Sequence, residues 1–309
     1  MKTRVAPAAS TARPHADTAP AHPEFPGCRP VRITRDEVAD YEGRIEYWDA
    51  RTETAFKACE PTTIYHEGPG QRLAALASRI AAGRGSPITT LGTADLLVRN
   101  AGGERQRILQ ADQIVYLHPV ETEPRGAAVE VGTDHLPDVV LEVDYSTDVR
   151  RGKLGLYESW GFPEVWVDVP DAESRSRSPR RAAGLTIHRR SPDGFRIVAA
   201  SVAFPGWTAE EIHTALNEPS LSEATSAVLT RVGRALGDAE GTVPDDDPWL
   251  REQRRQATVQ AVTRILQSRG IDLPADGVAR LGRAAPEDLV DAALACRDAA
   301  DFVTRLRWQ

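Results

Sequence analysis

The chain has 309 residues, with 38 Lys or Arg against 45 Asp or Glu, and its formal net charge of −7 excludes a globally basic protein that coats nucleic acid. A hydrophobic content of 41% is enough to build a core, in one large domain or two smaller ones. Three widely spaced cysteines fit neither a disulfide framework nor a zinc site, so we expect a cytoplasmic protein. No apolar run approaches the roughly 20 residues that span a bilayer, so we expect that the protein does not enter a membrane.

The first predicted elements follow a proline-rich start. Residues 1–30 hold six prolines among alanines and small polar residues, which predicts a disordered tail. Apolar residues at helical spacing from Leu73 to Ile80 then predict a helix over about 67–82. Short apolar runs separated by turn residues predict three strands of an antiparallel meander. These strands lie at about 95–99, 110–117 and 136–145.

A second helix and a fourth strand complete this core. The helix covers about 148–160 and ends at Gly161, and the strand covers 164–169. The order helix, three strands, helix, strand (αβββαβ) predicts a compact α/β domain, which we place at 31–217. Further elements of this domain are strands near 185–189 and 195–201 and a short helix near 209–216.

Beyond residue 217 the composition turns to Ala, Leu, Arg and Glu. Residues 218–247 end in an acidic run with three consecutive aspartates, and we predict a linker region there. Helical patterns at about 248–268 and 287–307 predict a C-terminal all-α region over 248–309. We expect this region to serve dimerisation or the binding of a partner.

Acidic side chains on a predicted strand give the first indication of chemistry. Side chains alternate between the two faces of a strand, so Asp138, Glu142 and Asp144 point the same way from an otherwise apolar segment. Buried carboxylates are costly unless a cation or a base pairs with them. Hard divalent cations such as Mg²⁺ select carboxylate oxygen. This strand face therefore predicts a metal site or buried ion pairs.

The following helix supplies a candidate partner. Lys153, Tyr157 and Trp160 share one helical face, so packing of the two aromatic residues on the sheet extends Lys153 toward the strand ends and Glu142. Lys153 is one of only three lysines in a chain that otherwise uses arginine for its cations. Because the pKa of an ammonium responds to its site, a lysine at this position indicates a specific role.

Several segments, in this order along the chain, resemble a known family. They are Arg44-Ile45-Glu46-Tyr47-Trp48-Asp49, His66 at a helix start, Ala111-Asp112-Gln113-Ile114-Val115, Pro137-Asp138-Val139-Val140-Leu141-Glu142-Val143, Lys153-Leu154-Gly155-Leu156-Tyr157, Gly161-Phe162-Pro163-Glu164-Val165-Trp166-Val167-Asp168 and the turn Phe204-Pro205-Gly206-Trp207. Over roughly 41–216 they resemble the Uma-two family of restriction endonucleases in the PD-(D/E)XK superfamily. The resemblance implies a restriction-endonuclease-like core with a mixed sheet.

The resemblance also implies a catalytic site. Asp112 and Glu142 would hold a divalent metal, Mg²⁺ or Mn²⁺, with help from Asp138. Glu46 would be an accessory acid, and Lys153 would orient or deprotonate the attacking water. This inventory suits phosphodiester cleavage, since a metal stabilises the charge that develops on the phosphate and a basic group assists the nucleophile.

The chain departs from the family pattern mainly in its turns. The lysine that usually follows the glutamate by two residues is replaced by Asp144, so the basic role falls to Lys153 on the helix. Ala111 stands where a proline is usual before the first aspartate, and Ala50 stands where a glycine is common. A small Ser-Pro-Ser turn after the glutamate is replaced by Tyr145-Ser146-Thr147.

The site residues also have structural interpretations. Asp112, Glu142 and Lys153 could be an ion-pair cluster in a nuclease fold that has lost its activity, and Asp138 could cap the start of its strand. His66 fits a helix start better than a zinc protease, because the second histidine that such an enzyme needs four residues later is absent.

Asp144 has its own alternative, as a carboxylate at the rim of the sheet that pairs with Arg150 or Arg151. These two arginines, with Arg175 and Arg177 of the Arg/Ser-rich loop, are the candidates for contact with nucleic acid phosphates. Solvated loop arginines are the alternative.

The leading hypothesis is a metal-dependent endonuclease that hydrolyses DNA phosphodiester bonds, with a homodimer as a candidate assembly. One alternative is a catalytically inactive nuclease-fold module that binds nucleic acid, which Asp144 at the usual lysine position favours. The other is a protein-interaction scaffold that acts through its C-terminal helices, which the net charge of −7 favours.

Overall fold

The computed structural model describes residues 24–41, 43–61, 63–174, 177, 181–273, 281 and 284–306. It separates the chain into two compact units. One comprises Met1–Gly83 and Pro87–Leu236, and the other comprises Arg84–Ser86 and Gly237–Gln309. Within the described residues, no helix combines the length and the apolar character that crossing a membrane requires.

The first unit is built on a large mixed β-sheet. Its strands are β1 (Cys28–Arg32), β2 (Tyr47–Asp49), β3 (Thr54–Ala58), β4 (Thr89–Arg99), β5 (Arg105–Tyr116), β6 (Val129–Glu130), β7 (Val139–Val143), β8 (Glu164–Val169), β9 (Gly184–Ser191) and β10 (Gly194–Val198). The order across the sheet is β1-β3-β2-β5-β7-β8-β9-β10, with β4 on the other edge of β5 and β6 beside β4. The pairs β7–β8 and β4–β6 are parallel, and the others are antiparallel.

The described residues also form helices, of which α1 and α2 precede the central strands in the sequence. They are α1 (Arg35–Ala39), α2 (Ile64–Arg84), α3 (Pro119–Thr122), α4 (Lys153–Trp160), α5 (Ala209–Asn217), α6 (Glu223–Glu240), α7 (Pro248–Ser268), α8 (Pro286–Ala295) and α9 (Ala299–Arg305). The predicted αβββαβ order corresponds to α2, β4, β5, β7, α4 and β8. The prediction of an α/β fold with a mixed sheet and C-terminal helices is therefore confirmed.

Helices cover both faces of this sheet. On one face Leu73 and Ile80 of α2 join a core that includes Leu141 of β7 and Trp166 of β8. On the other face Leu156, Tyr157 and Trp160 of α4 pack against residues of β5 and β7. Because β7 and β8 lie between two apolar layers, the residues of both strands are buried throughout.

The helix predicted over about 148–160 is shorter in the structure. Residues 149–151 form a 3₁₀ turn, and α4 begins only at Lys153. Gly152 separates the two, and a Cβ atom there would lie 2.3 Å from the Glu24 carbonyl oxygen. The predicted end at Gly161 is confirmed, since Gly161 adopts the left-handed conformation at φ 89° that favours glycine.

The segment predicted as a linker region, 218–247, contains α6. Leu229, Val232 and Leu236 of this helix are buried in the same core as α2. Gly233 lets the two helices approach closely, because a Cβ atom there would lie 2.9 Å from the Ile80 carbonyl oxygen. The segment predicted as a disordered tail, 1–30, also needs correction in its described part, since Cys28 begins β1 and pairs with β3.

The second unit has a helical core of its own. Buried residues of α7, α8 and α9, among them Leu266, Leu289 and Phe302, form one cluster. The helix predicted over 287–307 is two helices, because Asp298 caps a new start by accepting a hydrogen bond from the Asp301 N–H at 2.8 Å. Cys296, between the two helices, is fully buried in the cluster.

Candidate active site

β5 changes its pairing partner along one edge. β2 pairs with its first half, as far as Tyr47 opposite Leu109, and β7 pairs with its second half, from Leu141 opposite Gln113. Residues 110–112 of β5 therefore face the ends of two different strands. We call this place the β5 junction. The backbone and side-chain groups of these three residues can therefore bond to groups outside the strands β2 and β7.

Three predicted acidic residues meet at the β5 junction. Asp112 and Glu142 stand opposite each other, one residue beyond the last β5–β7 pair, and the Val143 N–H donates to Asp112 Oδ2 at 2.8 Å. Glu46 comes immediately before β2, and its carbonyl oxygen accepts from the Gln110 N–H at 3.3 Å. The side chains of Glu46, Asp112 and Glu142 are only 5%, 7% and 1% exposed.

Lys153, the first residue of α4, joins these acids. Its Nζ donates to Glu142 Oε2 at 2.8 Å and to the Gln110 carbonyl oxygen at 2.7 Å, and it lies 2.6 Å from Glu46 Oε2. The Tyr157 hydroxyl, one turn further along α4, donates to Glu142 Oε1. The ammonium therefore contacts two carboxylates and one carbonyl oxygen, in a side chain that is 4% exposed.

Arg44 holds the remaining acid. Its Nη2 lies 2.6 Å from Asp112 Oδ1, its Nη1 lies 2.9 Å from Glu67 Oε1, and its Nε lies 3.4 Å from Glu46 Oε1. His66, in the first turn of α2, places Nε2 3.4 Å from Arg44 Nη2 and 3.6 Å from Asp112 Oδ1. The segment before β2 and the start of α2 thus bring a guanidinium and an imidazole to Asp112.

Burial and charge shift the pKa values of this cluster in different directions. Burial raises the pKa of Glu142 to about 8, against the lowering effect of Lys153. Burial acts in the same sense on Asp112, but His66, Lys153 and Arg44 outweigh it and the pKa of Asp112 is lowered. Burial acts to lower the pKa of Lys153, but the surrounding carboxylates outweigh it and raise that pKa. Lys153 is therefore charged and Asp112 ionised at neutral pH.

The donor set fits a divalent cation. Carboxylate oxygens are the donors that Mg²⁺ and Mn²⁺ prefer, and Glu46, Asp112 and Glu142 supply three carboxyl groups here against the two cations Lys153 and Arg44. A cation bound at Glu142 would displace the proton that burial otherwise favours on this side chain. Among the residues described, no three His, Cys, Asp or Glu side chains already form a metal-binding group. Lys153 lies between Glu46 and Glu142, and Arg44 lies between Asp112 and Glu46.

A cavity of about 270 Å³ adjoins Asp112. Its wall includes Arg44, His66, Glu67 and Gln113 as well as Asp112, so nearly every side chain that faces it is polar or charged. A Cβ atom at Gly92, another lining residue, would lie 3.1 Å from the side-chain oxygen of Gln113. Of the three buried acids, only Asp112 lines this cavity, and the volume is large enough for a phosphate group.

Asp138 does not join the cluster. It precedes β7, four residues or roughly 13 Å of extended strand from Glu142. Its carboxylate accepts a hydrogen bond from the Leu117 N–H at 2.7 Å, and its own N–H donates to the Val115 carbonyl oxygen at 2.9 Å. The structure thus places Asp138 as a cap at the start of the strand.

Three of the four predicted phosphate-binding arginines lie within the described residues, and each of these contacts another partner. Arg150 pairs with Asp148 at 3.0 Å, and Arg151 pairs with Glu24. Arg177 donates to the Pro170 carbonyl oxygen at 2.7 Å. Arg175 lies outside the described residues. Exposed pairs of this kind break at little cost, so these arginines are still able to approach a phosphate backbone.

Asp144 is buried and does not lie at the rim of the sheet. Its carboxylate pairs with Arg181 and accepts from the Val149 N–H at 3.1 Å. Arg181 also donates to the carbonyl oxygens of Asp144 and Thr147. Burial raises the pKa of Asp144 to about 6, against the lowering effect of Arg181. Asp144 therefore connects the turn after β7 to Arg181 at the end of the arginine-rich loop.

Sequence reasoning missed three partners in and around the site. Arg44 is two residues before Glu46 in the first segment that carries the resemblance, and this proximity is the signal that could have identified it. Arg181 is hidden among the other arginines of its loop. Tyr157 was recognised as a packing residue, but its hydroxyl also contacts Glu142.

The chain was compared with protein-family models, curated proteins and solved structures. No protein-family model matches the chain, and no curated protein matches it. Among solved structures, the chain is similar to a candidate nuclease belonging to DUF820 from Anabaena variabilis, with 12% identity and a TM-score of 0.38, over 60% of this chain and 99% of that one.

Proposed function

We propose that the protein is a divalent-metal-dependent nuclease whose active centre is the β5 junction. The observation that carries the proposal is the position of Lys153, whose ammonium bridges Glu46 and Glu142 beside Asp112 at the one place where β5 changes partner. Buried ionisable groups with shifted pKa values beside a polar cavity are concentrated at functional sites, and carboxylates with a lysine suit metal-dependent hydrolysis.

Each residue has a role in this proposal. Asp112 and Glu142 would hold the cation, which when bound supplies stabilisation of the charge that develops on the phosphate. Lys153 would orient the attacking water and stabilise negative charge near it, because Glu46 and the Gln110 carbonyl oxygen fix its ammonium. Glu46 is thus a positioning residue that keeps Lys153 in place. The buried surroundings exclude bulk water and strengthen these interactions.

DNA is the substrate that we propose, with phosphodiester hydrolysis within the strand as the reaction. The support is the resemblance of the segments around Glu46, Asp112, Glu142 and Lys153 to restriction endonucleases, and the presence of arginines on loops near the turn after β7. The net charge of −7 requires that contact with the backbone be local. A homodimer and a cytoplasmic location belong to the same proposal.

Cleavage of circular DNA tests this function. Purified protein is incubated with single-stranded and duplex circles, with Mg²⁺, Mn²⁺ or EDTA, beside the variants Glu142→Gln and Glu164→Gln. Glu164 is the matched control, a buried glutamate on β8 that accepts from the Trp166 indole N–H at 2.6 Å outside the site. We expect metal-dependent nicking that E142Q loses by at least about a hundredfold and E164Q keeps. Equal activity in both variants would contradict the proposal.

A catalytically inactive module that binds nucleic acid is the second candidate. The observation that favours it is that Arg44 and Lys153 already neutralise much of the charge on the buried carboxylates without any metal. This candidate predicts binding to DNA that weakens with salt and no cleavage with either metal. The same incubations, followed by filter binding at two salt concentrations, separate the two candidates.

A further inference from the structure

The guanidinium of Arg44 occupies the space next to the Asp112 carboxylate. It lies within 2.6 Å of Asp112, 2.9 Å of Glu67 and 3.4 Å of both Glu46 and His66. Its neighbours are thus three carboxylates and one imidazole nitrogen. These are the groups that commonly surround a bound cation, since oxygen ligands select hard divalent ions and imidazole is the commonest nitrogen ligand.

The position of the Arg44 side chain also allows it to move away from Asp112. It is 27% exposed, whereas Lys153 is 4% exposed and has buried partners on all sides. Arg44 lines the cavity of about 270 Å³ beside Asp112. Its partner Glu67 is 45% exposed and also lines this cavity, so the pair with Glu67 can persist when the bond to Asp112 breaks.

We propose that Arg44 is a resident cation that holds the place of the divalent ion at Asp112 and moves into the adjoining cavity when that ion binds. The proposal rests on the proposed function, because it requires a metal at Asp112 and Glu142. It explains why the described carboxylates are not arranged as a preformed metal-binding group. In the cavity, the released guanidinium would face a phosphate, for which its planar donors are suited.

A competing cation makes metal binding weaker than the carboxylates alone would allow. An incoming ion must break the short bond between Arg44 and Asp112, and it gains a like-charged neighbour. Removal of the guanidinium should therefore tighten metal binding while it weakens contact with substrate. A residue that only stabilises the fold would have the opposite effect on the metal, since its loss would loosen the site.

The test is the affinity for Mn²⁺, measured by isothermal titration calorimetry without DNA on the full chain. The variants are Arg44→Met, which keeps the side-chain bulk, and Arg44→Gln, which is used if the first does not fold by circular dichroism. Arg99→Met is the matched control, because Arg99 pairs with Glu130 at 2.9 Å on another part of the sheet. Asp112→Asn removes a proposed ligand.

We expect Mn²⁺ to bind R44M or R44Q about tenfold more tightly than the wild type, because a charge-assisted hydrogen bond no longer has to be broken. R99M should match the wild type, and D112N should lose binding. Unchanged or weaker binding in both Arg44 variants, with binding still dependent on Asp112, would overturn the proposal and leave the proposed function intact. No binding in the wild type or in any variant would instead contradict the proposed function itself.

Discussion

Lys153 connects the energetics of the site to its chemistry. Its Nζ contacts Glu142 at 2.8 Å and Glu46 at 2.6 Å, and all three side chains are at least nine-tenths buried. An ion pair of this kind adds little net stability, because both partners lose their hydration, but removal of one partner leaves uncompensated charge in the interior. A protein retains such a cluster more readily when it has a function beyond stability.

The first prediction concerns the loss of this ammonium. Lys153→Met keeps the length of the side chain and leaves Glu46 and Glu142 without their cation, so we expect the free energy of unfolding to fall by about 3–5 kcal/mol. Urea denaturation followed by circular dichroism measures it. Lys57→Met is the control, because Lys57 lies less buried beside Tyr41, and it should cost less than about 1 kcal/mol. Equal losses in the two variants would contradict the assignment of Lys153 to the site.

The second prediction follows from the pKa of Glu142, which burial raises from 4.5 to about 8. Between these values the folded protein retains a proton that the unfolded chain has released. The stability from this group is therefore fully present below pH 4.5 and is lost as pH rises toward 8.

Glu142→Gln removes this titration. In metal-free buffer with EDTA, the free energy of unfolding of the wild type minus that of E142Q should fall by up to roughly 1.4 kcal/mol per pH unit between pH 5 and 8. Urea titrations at unit pH intervals measure this difference. A difference that is flat, or that rises with pH, would show that Glu142 does not carry a raised pKa.

At the scale of the element, α4 determines whether Lys153 reaches the β5 junction. The helix is only eight residues long, so its ends decide its position. Gly161 ends it at φ 89°, and its N–H bonds to the Tyr157 and Glu158 carbonyl oxygens. A Cβ atom at Gly161 would lie 2.6 Å from the Arg190 guanidinium, whereas a Cβ atom at Gly155, inside the same helix, would meet nothing within 4 Å.

These two glycines give a matched pair of substitutions. Gly161→Ala forces a side chain into the left-handed region, so it should destabilise the protein by about 1–2 kcal/mol. Gly155→Ala should stabilise it by roughly 0.5–1 kcal/mol, because alanine restricts the unfolded chain and favours helix. Thermal and urea denaturation of both variants test the prediction, and the same sign of change in both would contradict this account of α4.

The local elements around the site could be predicted from the sequence, and the contacts between distant segments could not. The alternation in β7 and the helical face of α4 were enough to place Lys153 near Glu142. The position of Arg44 beside Asp112 depends on the pairing of β2 with β5, a long-range contact that no local pattern encodes. The resemblance alone suggested Glu46 and Asp112. Arg181 could not be distinguished from other loop arginines, because its partner Asp144 lies 37 positions away.

At the scale of the whole molecule, the boundary of the sheet-containing unit lies further along the chain than its composition suggested. The described unit runs to Leu236 and includes most of α6. The sequence does carry the signal for this helix, because Val228, Leu229, Val232 and Leu236 recur at helical spacing, but the mixed composition and the acidic run that follows favoured a linker. Its buried residues nevertheless complete the core that covers one face of the sheet.

Truncation tests this boundary. A chain that ends at residue 247 keeps α6 and should unfold cooperatively. A chain that ends at residue 217 loses Leu229, Val232 and Leu236, which at about 1.5–3 kcal/mol each amounts to much of a typical stability of about 5–15 kcal/mol. We expect the shorter chain to aggregate or to bind hydrophobic dyes, as judged by gel filtration and dye fluorescence. Equal stability of the two chains would contradict the assignment of α6 to this core.

The central claim is that Asp112 and Glu142 together hold a divalent cation at the β5 junction. The most direct measurement is an anomalous difference map from crystals of the full chain soaked in Mn²⁺. We predict one strong peak between about 2.0 and 2.6 Å from a carboxylate oxygen of each residue, the range of distances for hard divalent cations, with the Arg44 guanidinium withdrawn from Asp112. Carboxylates that still bind only Lys153 and Arg44 at saturating Mn²⁺, with no peak between them, would contradict the claim.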